Sequence, residues 1–325
     1  MGLKALLGVL ALSIGLQTAG AWAQAENYPE KPIKLIVPFA AGGGNDVVAR
    51  ALATQMTEIL GQNVLVENIP GASGSIGVLA AARAAPDGYT LVYGNITSVA
   101  INAVTIPNLA YDPLADLASI SLVTSSHMAV VVTPDTGVTN VDELVEYLKQ
   151  HPSAPYGTAG RGSPQHLIGE LLSKDLGLTL SHVPYNGGGP LTTALLGAQV
   201  KVGIGGMTNF ISHNEAGTLR IVAIGSAHRS KALPDIPTLA ETFPDIISEG
   251  WGSLHAPAGT DPAILEKVRG ALHRAMETDA VAVALSGAGL DANLSTGEEL
   301  QERIRSDIET WRKLVDSGVD IGTSK

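Results

Sequence analysis

Short apolar runs alternate along the chain with segments that have helical periodicity. Residues 34–39 form an apolar run typical of a buried strand, the glycine-rich turn 40–46 follows, and a helix opens at Val47. The cycle of strand, loop and helix then repeats at 64–67, 70–75 and 76–84, before a strand at 89–94. This alternation predicts an α/β protein with two lobes, mainly parallel sheets and a hinge.

A polar gap between two apolar segments marks the expected crossing from one lobe to the other. Thr124-Ser125-Ser126-His127 separates apolar residues 120–123 from 128–132. A second α/β series runs from 141 to about 226, and the chain is expected to return near 247–255. We therefore predict a first lobe of residues 24–127 plus 250–325, and a second lobe of residues 128–249.

The first 23 residues have the features of a cleavable signal peptide. Lys4 precedes an apolar run at 5–16, and small residues end at Ala21-Trp22-Ala23. The run is shorter than the roughly 20 residues that a membrane anchor needs. We therefore expect an exported, periplasmic protein.

Composition narrows the classes of function. The 325 residues include no cysteine, so disulfides and thiolate chemistry are excluded, and this length suits two cores better than one. The formal net charge of −11 disfavours nucleic acid as a partner. An anion must therefore be bound by local donors rather than by the overall field of the protein.

The loop at 40–46 is the strongest candidate site. Three successive glycines at 42–44 allow close backbone approach, and the following helix start directs N–H groups towards an anion. A dinucleotide-binding loop is an alternative, but it needs a small residue at Val47; a tight turn without a ligand is another. The candidate ligand contacts in this loop are Phe39, Ala41, Gly42, Gly43, Asn45 and Asp46.

Two further loops precede helix starts. Ser163 suits an N-cap and Pro164 the first helical position, so residues 156–166 form either a second anion site or an ordinary cap. Residues 184–190 repeat the pattern of glycines before a helix. The candidate contacts here are Gly160, Ser163, His166, Tyr185, Asn186 and Gly187, with Thr97, Ser98 and Asn209 as neutral donors.

Motifs of catalysis and metal binding are missing from the sequence. It contains neither Gly-x-Ser-x-Gly nor His-Glu-x-x-His, and its eight histidines lack paired ligand spacing. We therefore expect no enzyme activity, no metal and no cofactor. A secreted hydrolase and a sensor that feeds a signalling partner are the alternatives.

Several motifs occur in order along the chain. They are Pro38-Phe39-Ala40-Ala41-Gly42-Gly43, Val66-Glu67-Asn68-x-Pro70-Gly71-Ala72, Pro86-Asp87-Gly88-Tyr89-Thr90-Leu91, Val183-Pro184-Tyr185-x-Gly187 and Leu195-Leu196-Gly197-x-Gln199-Val200. Together they span essentially the whole chain after the expected leader, and they resemble the Bug family of extracytoplasmic solute receptors, which serve tripartite tricarboxylate transporters. The Gly42-Gly43-x-x-Asp46 spacing is similar to the opening loop of that family.

The resemblance implies a type II periplasmic-binding-protein fold. It implies a carboxylate (a di-, tri- or aromatic carboxylate, or an amino acid) held between the lobes by residues 39–46, 160–166 and 185–188. Membrane permease subunits are the implied partners, and we expect a monomer. Because no Lys or Arg is clearly placed in the site, backbone amides are expected to hold the ligand, while Phe39, Tyr185 and Trp251 can line a pocket for an aromatic acid.

Overall fold

Two separate β-sheets organise the chain. The computed structural model describes residues 27–230 and 233–316, so the leader expected at 1–23 lies outside the described residues. The strands are β1 (Ile33–Val37), β2 (Val64–Asn68), β3 (Thr90–Asn95), β4 (Leu117–Ser126), β5 (Met128–Val132), β6 (Pro155–Thr158), β7 (Ser181–Pro184), β8 (Val202–Gly206), β9 (Arg220–Ile224), β10 (Gly250–Pro257) and β11 (Asp291–Ala292).

Helices cover both sheets. Single turns of helix lie at Ala72–Gly74, Thr97–Ile101, Pro134–Thr136, Met207–Asn209 and Leu239–Glu241. The α-helices are α1 (Gly44–Leu60), α2 (Ser75–Ala82), α3 (Asn102–Thr105), α4 (Val141–Gln150), α5 (Pro164–Asp175), α6 (Gly188–Leu196), α7 (Ile211–Glu215), α8 (Pro262–Met276), α9 (Asp279–Ala288) and α10 (Gly297–Asp316). Within the two described ranges, no helix has both the length and the apolar character to cross a membrane.

The first sheet has the strand order β11-β4-β10-β3-β1-β2, and the second has the order β7-β6-β8-β5-β9. We call the first sheet with its helices the first lobe, and the second sheet with its helices the second lobe. The chain leaves the first sheet after Ser126 and enters the second at Met128, so the crossing narrows to His127. The return reaches the first sheet at Gly250. The outer limits of the expected lobes stay a prediction, since residues 24–26 and 317–325 lie outside the described chain.

Each sheet is buried on both faces, which explains the continuous apolar runs. Along β1, Leu35 packs in one cluster with Leu52 of α1 and Leu272 of α8. The next residue, Ile36, points to the opposite face and packs with Ile304 of α10. Successive side chains of a strand face opposite sides, so a sheet between two helical layers needs apolar residues at every position.

The two-lobed α/β fold is confirmed, but the expectation of mainly parallel sheets was wrong. Strand β1 is parallel to β2 and β3, whereas β10 is antiparallel to β3 and β4. In the second sheet, β6 is parallel to its neighbours and β5 is antiparallel to β8 and β9. The reason is the crossing: β5 and β10 enter their sheets from the other lobe, so they run against the strands that end at the crossing side.

Candidate functional site

A cavity of about 170 Å³ lies between the two lobes. Both helix starts named as candidate anion sites near the crossing reach it, α1 through Asn45 and α5 through Pro164 and Gln165. The crossing strands supply its floor. The full lining is Asn45, Asn95, Ile96, Thr124, Ser126, Met128, Pro164, Gln165, Gly250, Trp251, Gly252 and Leu290.

A larger depression lies elsewhere, on the surface of the first lobe. It measures about 620 Å³ and is lined by residues 103–116 together with α10. Only one lobe forms it, and none of the glycine loops reaches it. We place the site in the smaller cavity because ligands of open α/β folds bind where the loops after the strands meet.

Two glycines on β10 shape the floor of the cavity. A Cβ at Gly250 would overlap the hydroxyl of Ser126, and one at Gly252 would lie 2.6 Å from Thr124 Oγ1. Real Cβ atoms do not approach that closely, so a larger residue at either position would have to displace a neighbouring side chain, and the packing favours glycine. The floor is therefore backbone and small hydroxyl groups, with Trp251 as its large side chain.

The buried carboxylate of Asp46 organises the first glycine loop. Its oxygens accept hydrogen bonds from Gly42 N at 2.8 Å, Asn68 Nδ2 at 2.9 Å and Arg50 Nε at 3.0 Å. Burial opposes ionisation, but the hydrogen bonds from Arg50, Gly42 and Asn68 outweigh it and lower the pKa of Asp46. These three hydrogen bonds let Asp46 hold the loop in place, and its role as a ligand contact stays a prediction.

The start of α1 lacks a capping side chain. Gly43 occupies the N-cap position in an extended conformation and makes no side-chain cap hydrogen bond. The first N–H groups of a helix have no acceptor within the helix. Residues 41–44 are also exposed, and Asn45 of this turn lines the cavity. The turn can therefore donate several backbone hydrogen bonds to an anion.

The start of α5 is different, because it is already capped. The Ser163 hydroxyl accepts from His166 N at 3.3 Å and donates to Gly160 O at 2.7 Å. Pro164 at the first helical position has no N–H. Ordinary capping, one of the two readings of this segment, accounts for Ser163.

Aromatic and acidic residues support that second loop from below. The rings of His166 and His182 stack with centroids 3.8 Å apart, and Gly162 N donates to His166 Nδ1 at 3.3 Å. Glu170 lies 3.5 Å from His166 Nε2 and accepts from Tyr156 Oη at 2.6 Å. The hydrogen bond from His166 is the main reason that the pKa of Glu170 is lowered. His166, 2% exposed, therefore shapes the loop from within the core.

The third loop and the neutral donors do not line the cavity. Gly187 has a positive φ of 106° and donates to Ala159 O at 3.1 Å, which ties the third loop to the second. Asn209 lies against Gly188 at the start of α6. Ser98 is buried, and its hydroxyl bonds to the backbone of Asn95.

Among the described residues that the sequence suggested as ligand contacts or pocket walls, Asn45 and Trp251 line the cavity. Phe39 is half-buried beside Gly74, while Ala41, Gly42 and Gly43 form the exposed loop at its edge. The remaining candidates are not among the lining residues: Asp46, Thr97, Ser98, Gly160, Ser163, His166, Tyr185, Asn186, Gly187 and Asn209. Their roles as ligand contacts stay predictions.

Sequence reasoning missed most of the lining as ligand contacts. Asn95 ends β3, and Gln165 follows the proline that starts α5. Trp251, which the sequence had suggested as a pocket wall, lies in the return segment and donates from Nε1 to Asp307 Oδ2 at 2.7 Å. The sequence did contain signals for these residues. The residue after a helix-starting proline and the residues of a crossing segment both lie beside the space between the lobes.

The described residues offer no accessible nucleophile and base pair in the cavity. The Ser253 hydroxyl lies 2.8 Å from His255 Nε2, but both residues are fully buried in the first sheet. Burial lowers the pKa of His255 to about 3, so its imidazole is neutral at ordinary pH. In the described chain no three His, Cys, Asp or Glu side chains cluster as a metal site would require.

Comparison with known proteins agrees with this architecture. Residues 48–318 match the family model described as tripartite tricarboxylate transporter family receptor. Protein BugT of Bordetella pertussis is 34% identical over 97% of this chain and 98% of its own length.

Solved structures show the same fold. A TctC solute-binding protein from Polaromonas has a TM-score of 0.83 at 28% identity, covering 90% of this chain and all of that one. An R. palustris protein with adipate has a TM-score of 0.73 at 29% identity, over 89% of this chain and 98% of that one. The expected two-lobed binding-protein fold is therefore confirmed over nearly the whole chain.

Proposed function

Because this chain belongs to the tripartite tricarboxylate transporter receptor family, whose members are solute-binding receptors rather than enzymes, we propose that it captures a small carboxylate between its lobes. The observation that carries the proposal is the uncapped first turn of α1, which reaches the cavity between the lobes at Asn45. The adipate in the R. palustris relative supports a carboxylate as the ligand class.

The first turn of α1 makes two favourable contributions to the free energy of binding a carboxylate. The helix dipole contributes about 0.3–1 kcal/mol at an exposed helix start and up to about 2 kcal/mol in a partly buried one. Each hydrogen bond to a charged group adds about 1.5–3 kcal/mol. A few such bonds account for capture by a protein whose net charge of −11 opposes an anion.

A polar contact lies at the crossing between the lobes. His127 Nε2 is 2.8 Å from Asp291 Oδ2 of the first lobe. A ligand that touches both lobes favours the closed arrangement over the open one by its extra contacts. We place the hinges at residues 124–127 and 247–252, where the chain crosses.

The membrane permease of a tripartite tricarboxylate transporter is the proposed recipient of the ligand. The family match supports this partner, and the leader at 1–23 supports a periplasmic location. The receptor is proposed to work as a monomer. Uptake of a labelled acid by vesicles that contain the permease should require this protein, and uptake at the same rate without it would exclude delivery.

A thermal-shift screen tests the binding proposal. The mature protein is heated with mono-, di-, tri- and aromatic carboxylates, with the matched neutral amides as controls. A ligand at about a hundredfold its dissociation constant adds about 2.7 kcal/mol to the free energy of unfolding. An increase in melting temperature with an acid and not with its amide is the expected result. If every carboxylate leaves the melting temperature unchanged, the proposed function is wrong.

A further inference from the structure

A second cavity lies between the lobes beside the first. It measures about 330 Å³, and it is lined by Met207, Thr208 and Ile211 from the second lobe and by residues 282–292 from the first. The first cavity, which reaches the start of α1, measures about 170 Å³. Among the described residues, Leu290 alone lines both of these cavities.

The pairing of β11 with β4 explains why Leu290 lies where the two cavities meet. Ala292 is paired with Thr124 in antiparallel register, and continuing that register by two residues places Leu290 beside Ser126. Side chains of directly paired residues lie on the same face of a sheet. Thr124 and Ser126 line the first cavity and Ala292 lines the second, so Leu290 lies between the two.

Contacts on either side hold Leu290 in this position. Before it, Gly289 lies directly against Thr208 of the second lobe, since a Cβ at Gly289 would overlap the Thr208 side chain. After it, Asp291 Oδ2 is 2.8 Å from His127 Nε2 at the crossing. Leu290 itself is half-buried and packs against the core cluster that α1 and α9 share. Its side chain therefore forms a fixed wall in this arrangement of the lobes.

The small size of the first cavity makes such a wall important for ligand choice. At about 170 Å³ it is close in size to an apolar cavity of roughly 150 Å³ that holds benzene, and it is below the roughly 300–1,000 Å³ of most ligand pockets. Most residues that line the second cavity are apolar. An acid too long for the first cavity therefore meets Leu290, whereas a smaller residue there would let an apolar chain enter the second cavity.

We propose that Leu290 determines the length of the carboxylate that the protein accepts, by separating the cavity at α1 from the second cavity. The proposal rests on the proposed function, because it takes the carboxylate group to lie at the start of α1. The receptor is then specific for a short acid. A side chain that forms no hydrogen bond with the ligand sets this specificity through its size.

Calorimetry with two series of straight-chain acids tests the proposal. The series are the monocarboxylates from propanoate to octanoate and the dicarboxylates from malonate to suberate. The parent protein should bind short members and lose affinity beyond a limiting length. In the Leu290→Ala protein the limit should move to longer acids. Each methylene that enters an apolar cavity strengthens binding about fourfold, which is the equivalent of about 0.8 kcal/mol. Acids two methylenes past the parent's limit should therefore bind the variant at least about tenfold more tightly than they bind the parent.

Leu285→Ala is the matched control. Leu285 belongs to the same core and lines the second cavity but not the first. Its replacement enlarges the second cavity and leaves the wall in place, so the limiting length should stay that of the parent. The milder pair Leu290→Val and Leu285→Val gives the same comparison if an alanine variant does not fold.

Three results would overturn the proposal while the proposed function stands. They are a parent protein with no length limit, a limit that is unchanged in the Leu290 variants, and a limit that moves equally in the Leu285 variants. The proposal is also wrong if neither series binds the parent although the thermal-shift screen finds another carboxylate ligand. If that screen finds no carboxylate at all, the proposed function and this proposal are both wrong.

Discussion

The indole Nε1 of Trp251 donates a 2.7 Å hydrogen bond to Oδ2 of Asp307, and this bond ties a wall of the cavity to α10. Arg303 Nε donates to the same oxygen at 2.9 Å. Asp307 thus positions a cavity residue without itself lining the cavity. Because Trp251 lies at the return from the second lobe, the same bond steadies that crossing.

Replacement of Asp307 should therefore affect stability and binding together. In Asp307→Ala the buried indole N–H loses its acceptor, which lowers the free energy of unfolding by about 1–3 kcal/mol. Asp307→Asn keeps an oxygen acceptor and should lose less. Urea denaturation measures stability, and calorimetry with a carboxylate measures binding. Equal stability of both variants and the parent would show that the bond contributes nothing.

Gly43 and Gly42 should respond differently to the same substitution. Gly43 has a φ of −77°, and a Cβ there would meet only Ala40 O at 3.7 Å, so Gly43→Val should lower the free energy of unfolding by no more than about 1 kcal/mol, the loss expected for a less favoured N-cap. Its side chain would cover the first-turn amides and weaken carboxylate binding at least about tenfold.

The control is Gly42→Val. Gly42 has a φ of 83°, where a residue with a Cβ is strained by about 1–2 kcal/mol, so this variant should lose stability as well. Calorimetry and denaturation together separate the two effects. Unaltered binding by the Gly43→Val protein would count against the anion site at α1.

The floor of the cavity offers a double-mutant test. Gly250→Ala places a Cβ on the hydroxyl of Ser126, and such overpacking costs about 1–3 kcal/mol. Adding Ser126→Ala removes the overlapping oxygen and should recover part of the loss, leaving a coupling energy of at least about 0.5 kcal/mol. Thermal denaturation of the four proteins gives the cycle. Strict additivity would mean that the two residues do not touch.

His255 should make the fold sensitive to acid. Its pKa is about 3 in the folded protein and about 6.5 when unfolded, so only the unfolded chain takes up this proton between those values. The contribution to stability is complete above pH 6.5 and is lost as the pH falls towards 3, at up to about 1.4 kcal/mol per pH unit.

His255→Gln should remove that slope, although it will be less stable than the parent at neutral pH. His151→Gln, which alters an exposed histidine, serves as the control and should keep the slope. Denaturant unfolding between pH 4 and 7 supplies the comparison. A slope that persists in the His255→Gln protein would assign it to other groups.

Local sequence patterns predicted the helices and strands better than they predicted which of these elements contact one another. The spacing of Val48, Leu52 and Met56 predicts the buried face of α1, although the helix begins at Gly44 rather than at Val47. The role of Ser163 as an N-cap was also predictable, because Pro164 after it suits the first helical position. The directions of β5 and β10 could not be predicted, because no local pattern records from which lobe a strand arrives.

The cavity itself was beyond sequence reasoning for a physical reason. Asn95, Gln165 and Trp251 come from three distant parts of the chain, and only the packing of the two lobes brings them together. Gly250 and Gly252 lie in the segment predicted to return to the first lobe, but only the partner strand shows what a Cβ would contact there. The glycine loops predicted backbone N–H donors, whereas side chains of the crossing segments complete the lining of the cavity.

Because the start of α1 has no capping side chain, a bound carboxylate would complete the hydrogen bonding of that helix. With Gly43 at the N-cap in place of a capping Ser or Asp, the first turn is less stable by roughly a few tenths of a kcal/mol, and its N–H groups lack a side-chain acceptor. A carboxylate bound there takes the place of the missing cap. The amide protons of Asn45 and Asp46 should then exchange with deuterium quickly in the free protein and slowly in the loaded one. Release of the ligand is, in these terms, the local unwinding of a helix end.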